Sequence, residues 1–144
     1  LGLRMMIGTR RMRRLAALDS IVPRRLDPSQ DRDRMAAEFA EIFGRDLSQQ
    51  PSVAFRQVRA MAAHVASDLG PLAGIPTLVV AGDDDRIVRP ALSRELAAAI
   101  GGARHVEIAD AAHAVILHDA ARINVLLAEH LAAAEHRRAA AASG

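Results

Sequence analysis

Apolar and polar positions in the second half of the chain follow a strand, helix, strand order. The run from Thr77 to Ala81 is short, rich in β-branched residues and closed by Gly82, which predicts a buried strand. Apolar residues from Pro90 to Ile100 recur at helical spacing, and a proline in the first turn favours a helix that begins there. A second strand is predicted over Arg104 to Ala109. We therefore expect two parallel strands joined by a right-handed helical crossover.

The first part of the chain shows helical spacing instead. Residues 1–18 form a predicted helix with a loose apolar face and five arginines, which Gly8-Thr9 is expected to interrupt. A loop is predicted over residues 19–33. The second helix should then start with Ser29 near its N-cap and end at Gly44.

A third helix and a turn-rich link complete the predicted division of the chain. The helix should open at Gln50-Pro51 and pack through an apolar side formed by Val53, Phe55, Val58, Met61, Ala62 and Val65. Gly70-Pro71 and Gly74 mark the link that follows. The prediction is a helical segment over residues 1–68 and a sheet segment over 69–144. A final helix, capped by Asp119, should end in a frayed tail after residue 138.

Composition excludes several classes of function. The formal net charge is only +2 and there is no Lys, Tyr or Cys, so the sequence pI near 10.7 reflects missing titratable groups and not a strong positive field. With 2% aromatic residues, we expect no nucleic-acid partner, and we interpret the arginine-rich start as a solvated helix face. No apolar run approaches the roughly 20 residues of a membrane span, so no membrane role is expected. Absence of Cys fits a cytoplasmic location.

Acidic and imidazole groups follow the two predicted strands. Asp83, Asp84 and Asp85 come directly after the first strand, and His113 lies in the loop after the second. Because the carboxyl ends of parallel strands meet at one edge of the sheet, these groups should emerge close together. A buried carboxylate bonded to one imidazole nitrogen leaves the other nitrogen to accept a proton.

The spacing of Gly82, Asp85 and Pro90, followed by Ala112-His113, resembles the C-terminal part of an α/β-hydrolase. The resemblance implies an α/β fold in which a helical cap-like segment precedes β-α-β-α from the end of the hydrolase sheet. It implies catalytic roles for Asp85, which orients, and His113, which acts as base and then acid. The implied activity is hydrolysis of a small-molecule ester, lactone or related acyl bond, with no cofactor and no metal.

The nucleophile that the resemblance requires is missing from these residues. The family's serine stands in a G-x-S-x-G elbow, and no such motif occurs in the sequence. The seven serines lack that setting: Ser20, Ser29, Ser48, Ser52, Ser67, Ser93 and Ser143. Because the chain also starts with Leu1 and enters directly into mid-domain sequence, we expect a hydrolase fragment with an apparently incomplete sheet.

Three other hypotheses stay open at this point. The three acids after the first strand could hold Mg²⁺ as in a receiver-like module, although the lysine of such folds is absent. Asp110, His113 and His118 could form a metal site, at irregular spacing. A non-enzymatic interaction protein could pair or self-associate through an exposed sheet edge.

We expect the isolated 144-residue polypeptide to have no serine-dependent esterase activity, because it has no serine in a nucleophile elbow for His113 to activate. The measurement is turnover of a p-nitrophenyl ester by the purified chain. Turnover that is lost on His113→Ala would contradict the expectation.

Overall fold

The structure is a computed structural model that describes residues 7–25, 29–49, 51, 53–65 and 67–143. The chain divides into two compact units, Leu1–Asp68 and Leu69–Gly144. The division falls in the turn-rich link, and the cap-like role of the first unit stays a prediction.

The described residues of the first unit form three helices: α1 (Arg10–Ile21), α2 (Arg32–Ile42) and α3 (Val53–Ala62). Helix α1 starts after Gly8-Thr9 because the Thr9 side chain accepts the Met12 N–H at 3.2 Å. It runs to Ile21, so the loop predicted to start at residue 19 begins later. Residues 1–6 of the predicted first helix lie outside the described residues.

The N-cap prediction for the second helix was wrong. Asp31, not Ser29, caps α2, because the Asp31 carboxylate accepts the N–H groups of Asp33 at 2.9 Å and of Arg34 at 3.1 Å. The helix ends at Ile42, and Gly44 follows with a φ of +64°, a conformation that favours glycine after a helix.

Arginines of α1 pair with acids inside the same unit. Asp33 accepts from Arg11 at 2.6 Å and from Arg14 at 2.8 Å, and Arg10 reaches Asp46 at 2.6 Å. These ion pairs connect α1 to α2 and to the turn after it, while Leu18, Ala36, Phe39 and Leu47 are buried in the same unit. Three arginines of this basic stretch are therefore paired with acids inside the same unit.

Helix α3 differs from its prediction in burial. Its apolar positions recur at helical spacing as expected, but no residue of α3 is buried, and the exposed fractions reach 66% at Phe55 and 72% at Met61. Val65 lies beyond the end of the helix. Gln50, from which the helix was predicted to open, lies outside the described residues.

The second unit has the predicted strand, helix, strand order. A 3₁₀ turn (Gly70–Leu72) precedes β1 (Leu78–Gly82), α4 (Pro90–Ala99), β2 (Arg104–Ile108), α5 (Val115–His118) and α6 (Ala120–Ala142). Strands β1 and β2 pair in parallel, with Leu78 opposite Arg104 and Gly82 opposite Ile108. Both strands thus end at the same edge of the sheet.

The core of this unit lies where β2 meets the helices that follow it. Ile108, Ala111, Val115 and Ile123 are buried together, and the side chains packed against them belong to Val80, Val106 and Leu126. The loop after β2 is therefore part of the core, which fixes its path.

The C-terminal region departs from prediction in two details. The Asp119 side chain makes no capping hydrogen bond to α6, because the short helix α5 brings the chain directly into it. Helix α6 continues to Ala142, through the tail that was predicted to fray. Among the described residues, no helix has the length and apolar character needed to cross a membrane.

Acid should destabilise the first unit through Asp46. Hydrogen bonds from the Ser48 side chain and backbone N–H, followed by the contact with Arg10, lower the pKa of Asp46 from 3.8 to about 2. Because the folded-state pKa is the lower one, this stabilisation is present above pH 3.8 and is lost as the pH falls through about 2.

We therefore expect Asp46→Asn to lower the melting temperature by about 2–5 °C near neutral pH and to reduce its acid dependence. Circular dichroism melts over a pH series measure both effects. Glu41→Gln, at an exposed acid on α2, is the matched control and should do neither. Equal acid dependence in the two variants would contradict the assignment.

Candidate active site

The turn after β1 holds Asp85 in a fixed orientation. Its Oδ1 accepts the backbone N–H groups of Ile87 and Val88, both at 2.8 Å. Its Oδ2 lies 3.0 Å from Nδ1 of His113. The Asp85 side chain is only 10% exposed, so both carboxylate oxygens are engaged in a largely buried position.

His113 lies in the loop after β2, as the sequence predicts, and its side chain keeps 41% of its surface exposed. With Asp85 ionised, the hydrogen on the imidazole belongs on Nδ1, and Nε2 carries the free lone pair. The Asp85 carboxylate therefore orients the ring from its buried side, and Nε2 on the opposite side of the ring is free to accept a proton. The catalytic roles of the two residues stay a prediction.

Backbone hydrogen bonds join the His113 loop to the turn after β1. The Asp83 N–H donates to the carbonyl of Ile108 at 3.0 Å, and the Asp84 N–H donates to the carbonyl of Ala111 at 2.8 Å. Asp110, with a φ of +54°, turns the chain between these two carbonyls. Asp83 and Asp84 thus align the two loops through their backbones, and Asp85 presents its carboxylate to His113.

Gly82 allows the two loops to approach this closely. A Cβ atom at position 82 would lie 2.4 Å from the carbonyl oxygen of Ala111 and 2.9 Å from the nitrogen of Ala112. Both alanines are almost fully buried. The sequence predicts Gly82 only as the end of a strand, and this role was not predicted. The sequence signal for this role is the glycine itself, because glycine in a strand often marks a site where another backbone approaches closely.

Two further histidines near the strands have other environments. His118 faces the same loop, and its Nε2 accepts the N–H of Ala112 at 3.4 Å. Burial lowers the pKa of His118 from 6.5, against the opposing effect of Asp119. His105 lies within β2 as predicted, paired with Val79.

The metal hypotheses find no supporting geometry. In the described ranges, no three His, Cys, Asp or Glu side chains are arranged to hold a metal ion. Asp85 is bonded to two backbone N–H groups and His113, while His118 is bonded to backbone.

The described serines of the second unit are not placed in an elbow. Ser93 is buried within α4, and Ser143, just after α6, donates its hydroxyl to the Ala139 carbonyl inside that helix. The site therefore contains an oriented imidazole without an assigned nucleophile or oxyanion hole.

The chain is similar to a known protein family and to a solved structure. A family model described as alpha/beta hydrolase fold matches residues 9–120. The chain is also similar to a solved structure described as "Est816 as an N-Acyl homoserine lactone degrading enzyme", with 28% identity and a TM-score of 0.60. That match covers 80% of this chain and 45% of the other, so the chain spans less than half of its length. Comparison with curated proteins found no match.

Gly82→Ala should destabilise the second unit and separate Asp85 from His113, because the added Cβ overlaps the peptide group between Ala111 and Ala112. We expect a loss of about 1–3 kcal/mol in the free energy of unfolding, measured by urea denaturation. The His113 ring signals in NMR spectra should also shift.

Gly101→Ala is the matched control, since the nearest atom to a Cβ there is the Ala73 Cβ at 3.4 Å, an ordinary contact. Equal stability of the two variants, with unchanged His113 signals, would show that the close approach at Gly82 does not hold the site.

Proposed function

Because this chain belongs to the α/β hydrolase fold family, we propose that it supplies the acid–base half of an acyl hydrolase. In this proposal Asp85 orients the imidazole, and His113 acts first as general base and then as general acid. The observation that carries the proposal is the 3.0 Å contact between Asp85 Oδ2 and His113 Nδ1.

The proposed reaction follows from the polarity of that contact. Nε2 of His113 takes the proton of an attacking hydroxyl, and the new positive charge on the ring is stabilised by the Asp85 carboxylate. The same proton is then passed from Nε2 to the oxygen that leaves the acyl group. Ile87 and Val88 support this cycle, because their N–H groups keep the carboxylate from rotating away.

The proposal places the nucleophile and the oxyanion-hole donors outside these 144 residues. Its support is the lack of a G-x-S-x-G elbow in the sequence, together with the 45% coverage of the similar structure. A Ser-His-Asp mechanism is therefore proposed for the whole protein.

A small-molecule ester or lactone is the proposed substrate. The similarity to a protein described as degrading N-acyl homoserine lactones makes a lactone the first choice. In the same proposal residues 1–68 act as a cap over the substrate, and the protein works in the cytoplasm without a cofactor.

A non-enzymatic interaction protein is the second candidate. The observation that favours it is the apolar side of α3, where Phe55, Val58 and Met61 are largely exposed. Sedimentation of the 144-residue chain tests it: a stable monomer at high concentration would argue against self-association through this surface or the sheet edge.

The decisive experiment expresses the complete reading frame that contains these residues and assays it on an N-acyl homoserine lactone and a p-nitrophenyl ester. We expect hydrolysis that falls by about 10³-fold or more in His113→Ala, and by a similar factor in Asp85→Asn because the amide favours the wrong imidazole tautomer.

His136→Gln, at an exposed histidine on α6, is the matched control and should keep full activity. Hydrolysis that survives His113→Ala unchanged, or that is absent from the intact protein on both substrates, would refute the proposal.

A further inference from the structure

The peptide group between Ala111 and Ala112 is held from three sides. Its carbonyl oxygen accepts the Asp84 N–H at 2.8 Å, its N–H donates to Nε2 of His118 at 3.4 Å, and Gly82 packs against it. This peptide lies one residue before His113, so its orientation sets where the His113 side chain leaves the backbone.

The contact with His118 depends on protonation. Nε2 can accept a hydrogen bond only when the ring is neutral with its hydrogen on Nδ1, because a protonated ring carries an N–H at both positions. Burial favours the neutral ring, since it lowers the pKa of His118 below 6.5. A protonated His118 would instead direct an N–H at the N–H of Ala112.

We propose that His118 is a positioning residue, whose neutral imidazole fixes the peptide between Ala111 and Ala112 and thereby holds His113 against Asp85. The importance of this positioning role for catalysis rests on the proposed function, but the role itself does not. The titratable groups nearest to His118 come from three segments. Asp119 follows it directly, Asp84 and Asp85 lie in the turn after β1, and Asp110 and His113 lie in the loop after β2.

Three variants of the full 144-residue chain separate this role from simple packing. His118→Gln offers an amide oxygen that accepts a hydrogen bond and does not titrate. His118→Leu fills space without an acceptor. His136→Gln removes a histidine from the exposed end of α6 and serves as the control.

The experiment measures amide hydrogen exchange of Ala112 and the ring nitrogen signals of His113 by NMR between about pH 8 and about pH 5. In the wild type, the Ala112 protection factor should fall about tenfold or more as His118 takes up a proton, and the Asp85–His113 contact should weaken with it. His118→Gln should keep both signals at low pH, and His118→Leu should lose protection at every pH. His136→Gln should follow the wild type.

Two results would overturn the proposal. One is an Ala112 protection factor with the same pH profile in the wild type and His118→Gln. The other is a His118→Leu protein in which Ala112 and His113 are unchanged. If His118→Leu fails to fold, the wild type and His118→Gln still decide through their pH profiles. No turnover is involved, so this inference and the proposed hydrolase activity fail independently.

Discussion

The packing of Gly82 against the peptide between Ala111 and Ala112 is the constraint on which the candidate site depends. Parallel pairing of β1 and β2 brings both strand ends to one edge of the sheet, but it does not by itself bring the two following loops into contact. The missing Cβ at position 82 allows that contact. Two hydrogen bonds, donated by the backbone N–H groups of Asp83 and Asp84 to carbonyls at the end of β2 and in the loop after it, then maintain it. The distance between Asp85 and His113 follows from this backbone arrangement more than from any attraction between the two side chains.

The division of exposure within the pair suits proton transfer. Asp85 is almost enclosed and has its orientation fixed by backbone donors, whereas His113 reaches the surface. The carboxylate can stabilise positive charge on the ring without moving, since its hydrogen bonds already exist before any charge develops. The ion pairs of the first unit differ from the Asp85–His113 pair, because their arginine side chains are exposed to solvent. Each such pair contributes little to the stability of the fold.

Local signals in the sequence were sufficient for much of the second unit. β-Branched runs and Pro90 at a helix start depend on neighbouring residues, and they predicted the strand, helix, strand unit and the meeting of its acids with His113 at one edge of the sheet. The choice of Asp85 among the three acids came from the resemblance to the α/β-hydrolases. The helix spacing of α3 was also correct, but its burial was not, because burial depends on which surfaces pack against the helix. The roles of Gly82 and His118 escaped prediction for the same reason: each contacts a peptide group far along the chain or across a loop, which spacing alone does not specify.

The sequence separation of 28 positions between Asp85 and His113 has a kinetic consequence. Closing a segment of that length costs chain entropy before any contact within it compensates, so we expect the crossover to dock before the carboxylate meets the imidazole. Formation of the pair is then a late event in the folding of this unit. Because the loop after β2 is part of the core, we expect the pair to be lost only when this unit opens as a whole.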